Sequence, residues 1–217
     1  MYPVYDIVLL PQQSVEENSI IVSRKLDQFG TEFTLQADKI FPHLSLYMVN
    51  LKMENIEKAN QLLSEIANRT TFLKLETLYY TNDFTEGMFE ITYKKNDTIN
   101  RLQQDIITAI NPLREGLRTK DPVGHILTDW LSKQEGEIRD NLEQYGYDEI
   151  GELFRPHITF TRFITRDTHV KISTLPLAKE FNGSFTKLGL FEMGENGTCI
   201  REISTFLLEN IVNADVY

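Results

Sequence analysis

The sequence predicts an α+β fold in which two pseudo-symmetric lobes enclose a central cleft, each lobe giving one histidine-bearing strand. Three observations carry this. Residues 42–47 read Pro-His-Leu-Ser-Leu-Tyr and residues 156–161 read Pro-His-Ile-Thr-Phe-Thr, so the pattern Pro, His, apolar, hydroxyl, apolar occurs twice. Strand-like and helix-like periodicities alternate along the chain, and the second half resembles the first in order. No low-complexity linker or long charge block divides the chain. Residues 1–217 are therefore read as a single bilobal domain, with one histidine motif per lobe near 43–46 and 157–160.

The elements follow in order. Tyr5 to Leu10 is strand-like and stops at Pro11. Glu16 to Phe29 carries Ile20, Ile21, Leu26 and Phe29 at helical spacing and is closed by Gly30. The first histidine strand covers Pro42 to Leu51. Met53 to Arg69 is the clearest helix, with Ile56, Ala59, Leu62, Leu63 and Ile66 on one side. Strand candidates Phe72 to Thr81 and Met88 to Lys94 flank the turn-prone Asn82-Asp83 and Gly87. Asp97 to Asn111 predicts a helix, and Pro122 to Tyr145 another through Ile126, Leu127, Trp130, Leu131, Ile138 and Leu142. The second histidine strand covers Pro156 to Ile164, and Arg166 to Asn182 is a loop or short helix. Ser184 to Met193 and Thr198 to Leu208 form a closing hairpin around Glu195-Asn196-Gly197, Asn-Gly being a strong turn pair.

The net charge is −10, from 32 acidic and 22 basic residues, which opposes loose phosphate-driven binding to long nucleic acids and predicts no duplex DNA partner. A small phosphorylated ligand or an RNA end in a locally basic pocket remains compatible with it. No apolar run approaches the roughly 18 residues a membrane span needs, and Val8-Leu9-Leu10 is too brief for a secretory signal. One cysteine, Cys199, excludes an internal disulfide and cannot define a metal site alone. A reducing cytoplasm is the compartment expected for such a chain. Oligomeric state is not legible.

Strand alternation turns the repeated hexapeptides into chemistry. Successive side chains point to opposite faces, so His43 shares a face with Ser45 and His157 with Thr159, with Leu44, Leu46, Ile158 and Phe160 behind them. Histidine has an unperturbed pKa of about 6.5, so one imidazole can accept a proton while the other donates. Opening a phosphodiester or cyclic phosphate needs both actions. Hydroxyl donors beside the phosphorus stabilise the charge gathered on its oxygens, the role assigned to Ser45 and Thr159.

Tyr47 and Thr161 sit two residues beyond the hydroxyls and are assigned to the cleft as substrate-binding residues, by stacking on a base or bonding a phosphate, plain packing being the equal alternative. Arg155 has the parity of His157 and is assigned to phosphate pairing, a surface salt bridge being the alternative. Arg162 has the opposite parity and is placed outside the cleft. His125 and His169 are read as solvated or locally bonded, and Trp130 as core. Two histidines with no Cys or carboxylate at a regular offset fall short of the usual three zinc ligands, so no metal and no cofactor is expected. No nucleophile elbow and no Walker-type phosphate loop is present.

The pair His43-Leu44-Ser45-Leu46 and His157-Ile158-Thr159-Phe160 resembles the twin motif of the two-histidine (2H) phosphoesterases, and Phe154-Arg155-Pro156-His157-Ile158-Thr159 resembles the second motif of their 2′-5′ RNA ligase-like branch. The strong match covers some 15–20 residues, and the first motif departs from the pattern in carrying Ser45 where Thr is commoner. The resemblance implies two lobes, each an antiparallel sheet with flanking helices. It also implies a metal-independent phosphodiesterase acting on a cyclic phosphate or a 2′-5′ or 3′-5′ diester of a small nucleotide or RNA end. A nucleotide-binding module without turnover, or an RNA ligase running the reverse reaction, would use the same residues. Specificity is expected in loops 82–87, 112–122 and 165–182.

Overall fold

The computed structural model describes residues 3–209 and has two antiparallel sheets with helices packed on them. Strand β1 (Val4–Pro11) runs through the larger sheet, paired on one side with β2 (Leu44–Asn50) and on the other with β7 (Gly183–Met193). The far edge of β7 is taken in succession by β3 (Leu73–Leu75) and β8 (Cys199–Leu207). The smaller sheet has β5 (Met88–Tyr93) between β4 (Thr77–Asn82) and β6 (His157–Arg162). The α+β class is as the sequence predicts. The path is less symmetric than a first-half and second-half division, because the larger sheet draws strands from both ends of the chain.

Each central strand is buried because its residues are apolar on both sides. In β1, Tyr5, Ile7 and Leu9 enter the main core, while Val8 joins Phe191 and Cys199 in a small cluster behind the other face. In β5 every residue is buried. Helix α1 (Gln13–Leu26) buries Val15, Ile20, Val22 and Leu26, and Gly30, at φ 78°, follows the 3₁₀ turn that ends it. Ile21 and Phe29 remain exposed, so the apolar stripe is shifted from the predicted one. Helices α2 (Ile56–Ala67) and α3 (Asp97–Ile110) pack on one another, and the Asn96 side chain caps α3 by accepting from the Ile99 N–H.

Two predicted spans break where the chain must change direction, and the expected loop or short helix takes its form. Phe72 to Thr81 is divided at Glu76, sending β3 to one sheet and β4 to the other. Pro122 to Tyr145 becomes a loop, the short α4 (Leu127–Leu131) and α5 (Gly136–Tyr145); Gly136 at φ 59° permits the sharp re-entry into helix. Arg166 to Asn182 holds only 3₁₀ turns. The closing hairpin forms as expected, with Asn196 in the left-handed region at φ 59° and Gly197 at φ 69°.

Both histidine strands contain a β-bulge at the same motif position. Along β2, Ser45 pairs with Val8 and Tyr47 with Ile7, leaving Leu46 as the extra residue. Along β6, Thr159 pairs with Glu90 and Thr161 with Phe89, leaving Phe160 extra. A bulge reverses the alternation beyond it. Leu46 and Phe160 are fully buried, and Phe160 packs against the rings of Tyr80, Phe89 and Phe181. Replacing Phe160 by Ala is expected to cost about 3–5 kcal/mol, the range for truncating a buried phenylalanine, measured by urea unfolding. A loss well under about 1 kcal/mol would mean that this residue does not anchor the bulge to the core.

Candidate active site

A cavity of about 600 Å³ is lined by His43, Ser45, His157, Thr159 and Arg155, so the fold brings five of the seven predicted site residues together. The strand starts place the two imidazoles. Each ring Nδ1 lies on the backbone carbonyl two residues earlier, His43 on Phe41 at 2.7 Å and His157 on Arg155 at 2.6 Å. A ring that donates its Nδ1 proton this way keeps its lone pair on Nε2 when neutral. The same bond therefore fixes tautomer and orientation at both histidines.

Tyr47 and Thr161 do not line the cavity. The bulges turn both away: Tyr47 is fully buried and its hydroxyl donates to Asn111 Oδ1 and the Tyr145 carbonyl, at 2.9 and 2.8 Å. Thr161 is also fully buried and donates to the Phe33 carbonyl at 2.6 Å. Met48, one residue past Tyr47, lines the cavity instead. Parity counted from an unbroken strand gave the wrong face beyond each bulge.

Two carboxylates that sequence reasoning missed lie beside the motifs. Asp6, at the middle of β1, accepts from Ser45 Oγ at 2.6 Å, and its Oδ2 lies 3.6 Å from His43 Nε2. Glu90, at the middle of β5, accepts from Thr159 Oγ1 at 3.4 Å, and its Oε1 lies 3.4 Å from His157 Nε2. Arg155 forms an ion pair with Glu90 and reaches toward Glu149, 3.8 Å away. The signal was legible: a single acidic residue inside an otherwise apolar strand is costly to bury and needs a reason.

The surroundings of the two carboxylates differ. Burial pushes the Asp6 carboxyl up to about 8, only partly opposed by the Ser45 hydroxyl and the charge of Arg118. Burial likewise pushes His43 down to about 4. Burial thus favours the uncharged form of each, a carboxyl beside an imidazole. For Glu90, burial alone would raise the group, but the charges of His157 and Arg155 and the hydrogen bonds from Arg155 and Thr159 outweigh it and hold it below the usual range. Glu90 therefore presents a full negative charge to His157 Nε2.

The rest of the wall corrects one further expectation and adds detail to others. Trp130 is half-buried and lines the cavity rather than the core. His125 is exposed but also lines it, stacked on Trp130 at 5.4 Å between centroids and 6° between planes, and paired with Asp121 and Glu86. Arg162 stays outside the lining, as predicted, yet it bonds to Glu86, Val123 and Asn196, which form part of the wall. His169 lies against Phe84, away from the cavity. Loop residues Asp83, Glu86 and Asp121 join Glu90, Asp148 and Glu149 to give a strongly acidic lining with Arg155 as its arginine.

No protein-family model matches the chain, and no curated protein matches it by sequence. Solved structures share its fold over nearly the whole chain. E. coli LigT in apo form is 14% identical, covers 96% of this chain and 98% of its own, and has a TM-score of 0.58. A protein described as a phosphoesterase is 12% identical over 97% of this chain and 100% of its own, at 0.54. The protein TT0787 of Thermus thermophilus is 15% identical over 94% and 97%, at 0.55. No helix among the described residues is long and apolar enough to cross a membrane.

Because Glu90 is held below the usual carboxylate range when folded, its contribution to stability is full above the unfolded value, about 4.3. It is lost as pH falls through the folded value. Urea unfolding of the wild type and Glu90→Gln across an acid series should therefore show a stability advantage of the wild type that shrinks toward low pH. A gap that stays constant, or widens in acid, would reverse the sign assigned here.

Proposed function

We propose that the chain is a two-histidine phosphoesterase that opens a cyclic phosphate or cleaves a 2′-5′ or 3′-5′ phosphodiester in a small nucleotide or RNA end. The observation that carries the reading is the duplicated unit. Two imidazoles, each locked through Nδ1 to a carbonyl and each neighboured by a hydroxyl and a buried carboxylate, line one cavity. The shared fold with a phosphoesterase supports it, and so do crystals of E. coli LigT with phosphate and with 3′-AMP.

His43 serves as the general base and His157 as the general acid in hydrolysis. His43 lies against a carboxyl that burial keeps neutral, so its Nε2 lone pair is open to a proton from the attacking water. His157 Nε2 instead lies 3.4 Å from Glu90, which is held in its charged form and orients the ring. Water oxygen bonds to phosphorus as its proton passes to His43 Nε2. The phosphorus–oxygen bond to the leaving 2′ or 3′ oxygen breaks as that oxygen takes the proton from His157 Nε2. Reversal exchanges the two roles, and neither step calls on a metal.

Ser45 reaches a phosphate oxygen by turning its proton from Asp6 Oδ2 to the substrate, and Thr159 does so by rotating away from its long 3.4 Å contact. The acidic lining repels polyanions and admits a phosphodiester carrying one charge. That narrows the substrate to a small molecule or a chain terminus.

A screen in the presence of EDTA against 2′,3′-cyclic nucleotides, 2′-5′ oligoadenylates and RNA with cyclic ends should find turnover. His43→Ala and His157→Ala should each lower kcat by roughly 10²–10⁴-fold, the range of a lost general acid or base. Near-full activity in either variant on every substrate the wild type cleaves would sink the mechanism. Ser45→Ala should lower kcat/KM by about 10-fold or more through the lost phosphate contact. Tyr47→Phe should leave turnover intact and cost about 1 kcal/mol of stability for its buried hydrogen bonds; comparable kinetic losses in both would return Tyr47 to the cleft.

A further inference from the structure

Cys199 takes no part in the chemistry above, yet the fold sets it beside the first histidine. The closing hairpin lays β8 against β7, and the Phe41 N–H donates to the Cys199 carbonyl at 3.2 Å, which draws this strand start to the residues before His43. One ligand atom each from Asp6, His43 and Cys199 lie within 4.8 Å of one another. Asp6 and Cys199 are fully buried, and Asp6 Oδ1 has no hydrogen-bond partner among the described residues. An oxygen so placed lacks a donor that water or protein would normally supply.

We propose that Asp6, His43 and Cys199 form a binding site for a soft divalent cation, Zn²⁺ foremost, whose occupation blocks the active site. Thiolate, imidazole and carboxylate together match zinc and its late transition-metal neighbours and do not match Mg²⁺ or Ca²⁺. Ligands 2.0–2.3 Å from a tetrahedral zinc lie roughly 3.3–3.7 Å apart. The His43 Nε2 to Asp6 Oδ2 separation of 3.6 Å already falls there, and the rest of the triad needs only a modest contraction. The second shell is also in place. A zinc-bound histidine commonly gives its other ring N–H to a backbone carbonyl, as His43 Nδ1 does to Phe41.

Binding forms three bonds to zinc, from Nε2, a carboxylate oxygen and sulfur, and releases the thiol and carboxyl protons to water. The site borders the cavity through His43, which lines it. His157 has no such site among the described residues, where no three potential ligand atoms around it come within 4.8 Å of one another. Zinc held on His43 Nε2 removes the lone pair that the proposed base uses, so the inhibitory part rests on the phosphoesterase reading while the binding part does not.

The test uses the full chain stripped with EDTA and titrated at mildly alkaline pH. Co²⁺ should produce the near-ultraviolet thiolate-to-cobalt charge-transfer absorption, and calorimetry should find one Zn²⁺ site. Cys199→Ser and Cys199→Ala should both abolish the absorption and weaken Zn²⁺ by about 100-fold or more, as loss of a direct ligand should exceed second-shell losses of 10–100-fold. On a substrate found in the metal-free screen, both variants should keep wild-type turnover while the Zn²⁺ needed for half-inhibition rises by the same factor. Absence of the cobalt–thiolate absorption in the wild type, or equal zinc affinity in wild type and both variants, overturns the site. Specific zinc binding without any metal-free turnover would uphold the site and overturn the phosphoesterase reading instead.

Discussion

A carboxylate buried in the central strand of each sheet is the constraint around which the rest of the structure is arranged. Asp6 and Glu90 occupy positions where every neighbour along the strand is apolar or buried. A charge there is tolerated only with partners, and otherwise the group gives up its charge. The fold uses both solutions. Glu90 keeps its charge because Arg155 and His157 answer it. Asp6 has His43 as its ion-pair neighbour among the described residues, and burial holds both neutral. Two copies of one backbone unit therefore carry different electrostatics, the separation that the proposed division of acid and base between chemically identical imidazoles relies on.

The paired bulges give this arrangement its shape. An unbroken β2 would present His43, Ser45 and Tyr47 on one face, crowding the cavity with a third polar side chain. By inserting Leu46, the strand keeps His43 and Ser45 in the cleft and sends Tyr47 into the core, where its hydroxyl ties β2 to the ends of α3 and α5. Phe160 does the same for Thr161, which bonds to the segment following α1. Residues that look like substrate contacts instead hold the two histidine strands in place, so the geometry of the site is set by the core behind it.

That division explains what was legible in the sequence. The motif pair was readable because it depends on local alternation over three residues, and Arg155 followed from the same parity. Tyr47 and Thr161 were misplaced because a bulge is specified by pairing with β1 and β5, strands distant in sequence. The break of β3 from β4 at Glu76 and of α4 from α5 before Gly136 likewise arises from where neighbouring elements lie. Asp6 and Glu90 stand out as lone acids in apolar runs, but their partners come from other strands, so the sequence does not tie them to the motifs. Cys199 illustrates the limit: one cysteine carries no metal signature in sequence, and only the closing hairpin brings it to His43 and Asp6.

The acidic lining of the cavity then bears on what can enter. Asp83, Glu86 and Asp121 stand near the stacked pair of His125 and Trp130, while Arg155 lies beside His157 and is already paired with Glu90. Attraction for the phosphate is therefore local and modest, and a chain of phosphates would meet repulsion along its length. A planar group is favoured at the other end, where an indole face and carboxylate acceptors offer stacking and hydrogen bonds to exocyclic amines. Under the proposed function, a phosphate at the histidines and a base toward Trp130 would together make a single nucleotide unit. The same negative lining that turns away a polyanion attracts a divalent cation, so the features that would restrict the proposed substrate also favour a soft metal at His43.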